Sequence, residues 1–388
     1  MKKISGSDYL FAFLSFSVPL ILFYTTSSSA LMFDDSAEFA LVIKLGSIAH
    51  PPGTPAYIAL GMLWEKITAV MGVPTITSLT LFSSLCISAA SLLLFFTFRK
   101  IVIESLSSGK NEFHAGFISF LTSVGFATGA TSWAWANTVE VYAFQVLAMA
   151  IAFCGLTHFH FNRSKSALIV SAIGLAMGLA NHHLTMILFL PFTPLFFLDS
   201  LFKNSPEVQT KEKNKRKQKS TNPGILISYF SVLKSRNFLL VTGLTATVTL
   251  LFYGWMFIRA QQEHPFMFGK PDTFSGMIYH MSGGSYTKNI ANTSKKIIAA
   301  RVPFFLKLTA MQLFLFLPFF LLGVTTLWKK KNFRLLSMIL LFFLTLFLYQ
   351  LNNNQWASTD AYMLLPFLVL SIAVLYGICE FYDRFKLI

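Results

Sequence analysis

The stretch from Thr75 to Phe98 reads TITSLTLFSSLCISAASLLLFFTF and contains 24 residues without a charged side chain. A helix of about 20 apolar residues crosses the hydrocarbon core of a bilayer, so this stretch is typical of a transmembrane helix. Nine more apolar segments of similar length lie along the chain. The ten predicted spans are 9–29, 75–98, 115–133, 140–161, 166–181, 184–201, 238–258, 304–327, 335–351 and 361–379. The sequence therefore predicts an all-α polytopic membrane protein.

The composition agrees with this class. Of the 388 residues, 54% are hydrophobic and only 12% are charged, which excludes an ordinary soluble domain. The formal net charge of +15 arises from short basic clusters between apolar runs, so we do not expect nucleic acid as a partner. Cys86, Cys154 and Cys379 lie in or beside apolar segments without CxxC spacing, and they predict neither a disulfide framework nor a zinc site.

The basic clusters also predict the orientation of the helices. If Lys2 and Lys3 are cytoplasmic, 22 of the 31 Lys and Arg residues fall on the cytoplasmic side, as the positive-inside rule expects. This holds only if residues 54–70, which are apolar enough to span, form an interfacial helix in the first outer loop. Such a helix would hold Tyr57 and Trp64 at the level of the lipid headgroups. The first apolar run resembles a signal peptide, but its length favours an uncleaved anchor.

The chain is predicted to have two transmembrane halves. The linker between them is rich in Lys among polar residues, which is typical of a solvated segment or one that faces anionic lipid. The spans 166–181 and 184–201 are short for two full crossings and could form a tilted or broken hairpin. The predicted regions are 1–202 with the first outer loop 33–74, the cytoplasmic linker 203–237, and 238–388 with the outer loop 259–303.

A cluster of carboxylates follows the first span. Asp34, Asp35 and Glu38 occur together in a chain that otherwise keeps charge away from its hydrophobic segments. A carboxylate in hydrocarbon costs about 2.5–3.5 kcal/mol, so the cluster needs water, partners or a substrate. Asp35 and Glu38 are three residues apart and would share one face of a helix. These acids are candidate catalytic residues, while the alternative is that Asp34 or Asp35 only caps a helix running to Ile48.

Further polar residues map near the same predicted outer face. Carboxylates can accept a proton from an attacking hydroxyl, and Arg, Lys and His can hold a phosphate group. Structural alternatives stay open: His50-Pro51-Pro52-Gly53 could be only a rigid bend, Arg259 a membrane anchor and Asp360 an N-cap. The additional candidates are His50, Glu140, Asn181, His182, His183, Arg259, Lys270, Tyr286, Asp360 and Tyr362.

Short motifs occur in a specific order along nearly the whole chain. The first four are Asp35-Ser36-Ala37-Glu38-Phe39, Ala49-His50-Pro51-Pro52-Gly53-Thr54-Pro55, Asn137-Thr138-Val139-Glu140-Val141-Tyr142 and Gly178-Leu179-Ala180-Asn181-His182-His183. Arg259-Ala260, the stretch from Pro265 to Asp272, Gly283-Gly284-Ser285-Tyr286 and Asp360-Ala361-Tyr362 follow. By these motifs the chain resembles the protein O-mannosyltransferase-like family of the GT-C glycosyltransferase superfamily, the bacterial relatives of transmembrane protein 260.

The resemblance implies a GT-C-like helical bundle and a membrane glycosyltransferase. The donor would be a polyprenyl-phosphate sugar, mannose or similar. The acceptor would be a hydroxyl, such as Ser or Thr of an exported protein, or a lipid. Transfer would invert the anomeric centre and take place on the outer face of a bacterial plasma membrane.

The resemblance also assigns roles to residues. Asp35 would be the base, with Asp34 as the alternative and Glu38 as an orienting carboxylate. Arg259, His182 and His183 would bind the donor phosphate. The other substrate-binding residues would be His50, Glu140, Asn181, Lys270, Tyr286, Asp360 and Tyr362. No cofactor or metal is required, because side chains can neutralise a phosphate monoester, although Asp35, Glu38 and Glu140 could coordinate a divalent cation.

Two positions depart from the family pattern, and one rival class remains. Ala37 stands where the family usually has glycine, and Lys270 replaces an acidic residue, which leaves its role open. A transporter or a flippase for lipid-linked sugars would also place charges on an aqueous path through the helices. Its essential ionisable residues would lie at mid-membrane depth, whereas these collect at the outer ends of the spans. A non-catalytic scaffold would tolerate Asp35→Asn.

Overall fold

A computed structural model of the protein describes residues 5–27, 30–31, 35–106, 111–199, 201–202, 225–284, 293–353 and 359–385. Helices dominate, and these residues include no strand of a sheet. Most of the predicted linker and the candidates Asp34 and Tyr286 lie outside the described residues.

Nine helices form the first part of the bundle within the described residues. They are α1 (Gly6–Thr26), α2 (Ser36–Leu45), α3 (Pro55–Val70), α4 (Thr75–Ile101), α5 (Glu112–Ala127), α6 (Ala130–Ala136), α7 (Val141–Asn162), α8 (Lys165–Leu179) and α9 (His183–Phe189). A π-helical turn, Val102–Leu106, extends α4, and a 3₁₀ segment, Leu190–Phe197, extends α9.

Seven further helices follow in the described parts of the second half. They are α10 (Ile225–Leu233), α11 (Arg236–Ala260), α12 (Phe274–Met281), α13 (Lys295–Leu313), α14 (Leu317–Lys329), α15 (Phe333–Asn352) and α16 (Leu364–Phe385). Short 3₁₀ turns, Phe314–Phe316 and Ala361–Met363, precede α14 and α16.

The predicted class of polytopic helical membrane protein is confirmed. Seven helical segments in the described residues are long and apolar enough to cross a membrane, and the bent pair α5 and α6 can make an eighth. The predicted spans 166–181 and 184–201 correspond to two shorter apolar helices, Lys165–Leu179 and His183–Phe197. The predicted span 115–133 runs over the bend between α5 and α6, and 304–327 runs over the 3₁₀ turn between α13 and α14. The other predicted spans each lie mainly on one helical segment, and the pair predicted to be short is the one whose helices are short.

Close helix contacts depend on glycine in the last part of the bundle. Helices α14 and α16 approach so closely that a Cβ atom at Gly323 would lie 1.7 Å from the Ala373 carbonyl oxygen. A Cβ atom at Gly377 would lie 1.8 Å from the Phe319 carbonyl oxygen. Small residues allow such backbone approach between membrane helices, where van der Waals packing replaces the hydrophobic effect.

One buried side chain satisfies the backbone at the bend between α5 and α6. The two helices meet at an angle of 64°. At this bend, some polar backbone groups have no hydrogen-bond partner within their own helix. The amide oxygen of Gln312 accepts the N–H groups of Thr131 (2.9 Å) and Ser132 (3.2 Å). Its amide nitrogen donates to the Phe126 carbonyl oxygen at 3.0 Å. Broken helices persist in membranes only when neighbours satisfy the freed groups, and α13 supplies that neighbour here.

The predicted first outer loop contains the expected helix, but one of its aromatic residues is placed differently. Helix α3 covers almost the whole segment 54–70. Tyr57 is fully buried and packs against Phe39 and Phe82, with ring centroids 5.5 and 6.0 Å away. Its expected position at the headgroups was therefore wrong, because α3 turns this ring into the bundle. Trp64 is partly buried and donates to the Ser78 carbonyl oxygen at 2.8 Å.

Candidate active site

A cavity of about 160 Å³ lies where several helices end. Helix α2 begins beside it, α7 begins and α8 ends there, and α15 and the turn before α16 close another side. The candidates that line it are Asp35, His50, Glu140, His182, His183 and Tyr362. Residues from across the sequence therefore meet at one end of the bundle.

Asp35, Glu38 and His50 form a connected group at this cavity. Asp35 is the N-cap residue of α2, but its side chain makes no capping hydrogen bond, so capping alone does not explain it. Its side chain is 48% exposed. His50 Nε2 lies 3.8 Å from Asp35 Oδ2, and His50 Nδ1 lies 2.9 Å from Glu38 Oε1. The imidazole thus stands between two carboxylates.

The loop that carries His50 is a sharp bend, as its Pro and Gly content predicts. Helix α2 ends at Leu45, earlier than Ile48, because Gly46 adopts a left-handed conformation with φ of +65°. Gly53 also has a positive φ, of +85°. A structural role for this bend is compatible with a functional role for His50, since the bend directs His50 to the cavity.

Glu140 and His182 lie on the inner side of the cavity. Glu140 is 1% exposed, and its side chain accepts the Val141 N–H at 3.2 Å at the start of α7. Burial, together with the neighbouring His183, lowers the pKa of His182 to about 3. His182 is therefore uncharged near neutral pH and can bind a phosphate only as a hydrogen-bond donor.

Four other candidates form hydrogen bonds or ion pairs and do not line the cavity. Asn181 is fully buried and donates to Val141 and Gln145, which indicates a structural role. Arg259 Nε donates to the Gly46 carbonyl oxygen at 3.1 Å. Lys270 lies 3.4 Å from Asp272, and Asp360 accepts a hydrogen bond from Trp135 at 3.0 Å.

Several residues of the cavity wall were not among the candidates predicted from the sequence. Tyr142, Tyr349 and Asn353 line it together with Tyr362. The Tyr362 ring stacks on Tyr349 at 6.1 Å and packs edge-on against His182 at 4.6 Å. Tyr142 lies in one of the quoted motifs, whereas the sequence signal for Tyr349 and Asn353 was their position at the predicted outer end of a span.

One group of described residues could hold a metal ion. The nearest ligand atoms of Asp35, Glu38 and His50 all lie within 4.8 Å of one another. Two carboxylates and one imidazole suit several divalent cations. The hydrogen bond between His50 and Glu38 also gives these residues a partner without a cation.

Comparison with solved structures identifies the fold. The chain is similar to ArnT from Cupriavidus metallidurans, whose crystal structure contains undecaprenyl phosphate, with a TM-score of 0.59 and 11% sequence identity. The similarity covers 98% of this chain but 61% of the ArnT chain. No curated protein sequence matches the chain. At this identity the match establishes fold alone: the protein is a multi-pass membrane protein with the fold of GT-C glycosyltransferases.

A family match makes the assignment more specific. Residues 35–206 match the family described as the Protein O-mannosyl-transferase TMEM260 N-terminal domain. Through that region the chain is similar to this family, and the resemblance predicted from the ordered motifs is confirmed. The matched region begins at Asp35 and includes His50, Glu140 and His182.

Proposed function

We propose that the protein is a membrane glycosyltransferase that moves a sugar from a polyprenyl-phosphate donor to a hydroxyl acceptor. The acceptor would be Ser or Thr of an exported protein, and transfer would occur on the outer face with inversion. The family description and the GT-C fold support a transferase of this kind. The observation that carries the proposal is the half-exposed carboxylate of Asp35, which lines a cavity together with Glu140 and His183.

In the proposed reaction Asp35 is the general base. The acceptor hydroxyl attacks the anomeric carbon, and its proton passes to the Asp35 carboxylate. The bond between the anomeric carbon and the phosphate oxygen breaks, and the polyprenyl phosphate leaves with the electron pair. Attack opposite the leaving group inverts the anomeric configuration. Asp34 is the alternative base, and Glu38 orients His50 beside Asp35.

Binding of the donor phosphate is the second part of the proposal. His182 and His183 line the cavity and can donate hydrogen bonds to phosphate oxygens. Arg259 remains a proposed phosphate ligand, although its guanidinium donates to Gly46 in this structure, so the donor would have to compete with that carbonyl. The ring of Tyr362 would contact the sugar. Glu140 would hold a sugar or acceptor hydroxyl, since its carboxylate can only accept hydrogen bonds when ionised.

The decisive experiment replaces Asp35 by Asn. The amide keeps the shape of the side chain but cannot take a proton, so transfer from polyprenyl-phosphate mannose to a Ser/Thr peptide should fall at least about 10²-fold, the lower range for acid–base catalysis. Asp199→Asn is the matched control, because this exposed carboxylate pairs with Arg163 and does not line the cavity. Near-normal transfer by Asp35→Asn would move the base to Asp34 or Glu38.

A further inference from the structure

The loop that carries His50 is bound by a segment from the other half of the chain. Loop 46–53 follows α2, and segment 259–280 begins at the end of α11 and reaches into α12. Four successive loop residues each make a hydrogen bond to this segment. The bonds are Arg259 Nε to the Gly46 carbonyl oxygen (3.1 Å), Ser47 Oγ to the Phe266 carbonyl oxygen, the Phe268 N–H to the Ile48 carbonyl oxygen (3.0 Å) and His280 Nε2 to the Ala49 carbonyl oxygen (3.1 Å).

Of these four hydrogen bonds, the one made by His280 is nearest to His50, because its acceptor Ala49 directly precedes His50 in the chain. Its side chain is 3% exposed, although α12 belongs to a predicted outer loop. A carbonyl oxygen can only accept, so His280 Nε2 carries the proton and donates to Ala49. Burial lowers the pKa of His280 to about 4, so the imidazole is neutral near pH 7. Its proton then stays on Nε2, and the hydrogen bond to Ala49 is fixed in direction.

Two glycines, one from each segment, make room for the His280 ring. A Cβ atom at Gly269 would lie 2.5 Å from His280 Cε1. A Cβ atom at Gly53 would lie 3.0 Å from His280 Nε2 and 2.4 Å from Met256 Sδ. The His280 ring therefore lies between the backbones at Gly269 and Gly53. In such close packing, neither backbone can move toward the ring unless the ring also moves.

We propose that His280 is a positioning residue for the transfer reaction: through the Ala49 carbonyl it holds the His50 imidazole between Glu38 and Asp35. The inference rests on the proposed function. His280 acts through the backbone and not on the substrate. A misplacement of about 1 Å caused by a residue remote from the chemistry can lower a rate about 10²-fold, which is the size of effect that this contact controls.

The test compares two replacements of His280 in the purified full-length chain. His280→Leu fills the space but has no donor, whereas His280→Gln keeps an N–H group that can reach Ala49. With polyprenyl-phosphate mannose and a Ser/Thr peptide, His280→Leu should lower kcat by about 10- to 100-fold with little change in KM, and His280→Gln should recover most of the loss. Phe274→Leu is the control, because this side chain lies on the same helix and is 79% exposed.

Wild-type kcat in His280→Leu would overturn the positioning role, and so would an equal loss in His280→Gln and His280→Leu. Absence of transfer by the wild-type chain contradicts the proposed function instead, so the two failures are distinguishable. If His280→Leu does not fold, Gly269→Ala gives a second route, since its methyl group would meet His280 Cε1 and displace the ring. A folded Gly269→Ala variant with wild-type kcat would also overturn the inference.

Discussion

Glu38 holds His50 at two points with one carboxylate oxygen. Oε1 of Glu38 accepts the backbone N–H of His50 at 2.7 Å and lies 2.9 Å from Nδ1 of its ring. Because an ionised carboxylate only accepts, Nδ1 carries a proton, and Nε2 is the nitrogen that faces Asp35. A single oxygen thus sets both the backbone position and the orientation of the imidazole.

The two hydrogen bonds to Glu38 predict that different replacements of this residue lower kcat to different degrees. Glu38→Ala removes the oxygen that accepts both hydrogen bonds and should lower kcat by about 10- to 100-fold through misplacement of His50. Glu38→Gln should lose less, because its amide oxygen can still accept both hydrogen bonds. The comparison requires steady-state kinetics on both variants beside Glu112→Gln, a change at the start of α5. Equal activity in Glu38→Ala and wild type would remove Glu38 from the site.

The contact between α14 and α16 predicts a large effect of one methyl group. Gly377→Ala would place its Cβ atom 1.8 Å from the Phe319 carbonyl oxygen, so the helices must separate. Overpacking of this kind typically destabilises by about 1–3 kcal/mol. The unfolding temperature in detergent should fall accordingly.

Gly243→Ala is the matched control, since among the described residues no neighbouring atom lies within 4 Å of the methyl position in α11. Alanine favours a helix over glycine by about 1 kcal/mol, so this variant should be neutral or slightly more stable. An unfolding temperature for Gly377→Ala that equals the control would contradict the close packing.

The sequence was sufficient to predict the helical segments but not how they pack. Long uncharged stretches such as 75–98 identify spans directly, because the bilayer sets their length. The role of Gln312 could not be predicted, since its partners Thr131 and Phe126 lie far away in the chain. Tyr57 was misplaced for a similar reason: an amphipathic side chain suits the interface, and only the packing of α3 shows it buried.

For the candidate site as well, the sequence predicted which residues matter but not which contacts they make. The order of motifs identified Asp35, His50 and Glu140 as residues to be brought together, and they do line one cavity. Residue type alone could not tell that Arg259 would hold the Gly46 carbonyl, or that Tyr349 would face the cavity. Charge and motif order can be read along the chain, whereas side-chain partners depend on contacts between its two halves.

Chelation tests whether the group Asp35, Glu38 and His50 works without a metal. Because Glu38 already holds His50 at 2.9 Å and the proposed reaction uses side chains alone, transfer should persist after dialysis against EDTA. Activity measured with and without added Mn²⁺ or Mg²⁺ should then agree within about twofold, since a catalytic metal normally supplies several kcal/mol. Loss of transfer in EDTA with recovery in Mn²⁺ would assign a cation to these three residues.

The partly buried His182 beside Tyr362 predicts how stability depends on pH. The pKa of His182 is lowered to about 3, whereas in an unfolded chain it would lie near its ordinary value of about 6.5. Between these values the unfolded state binds more protons, so the contribution of His182 is complete above about pH 6.5 and is lost as the pH falls toward 3. The unfolding temperature in detergent should therefore decrease from pH 7 to pH 5. His182→Gln, which cannot titrate, should reduce this decrease, while His264→Gln in the predicted outer loop 259–303 should not. The same pH dependence in His182→Gln and wild type would show that His182 does not stay uncharged when the chain is folded.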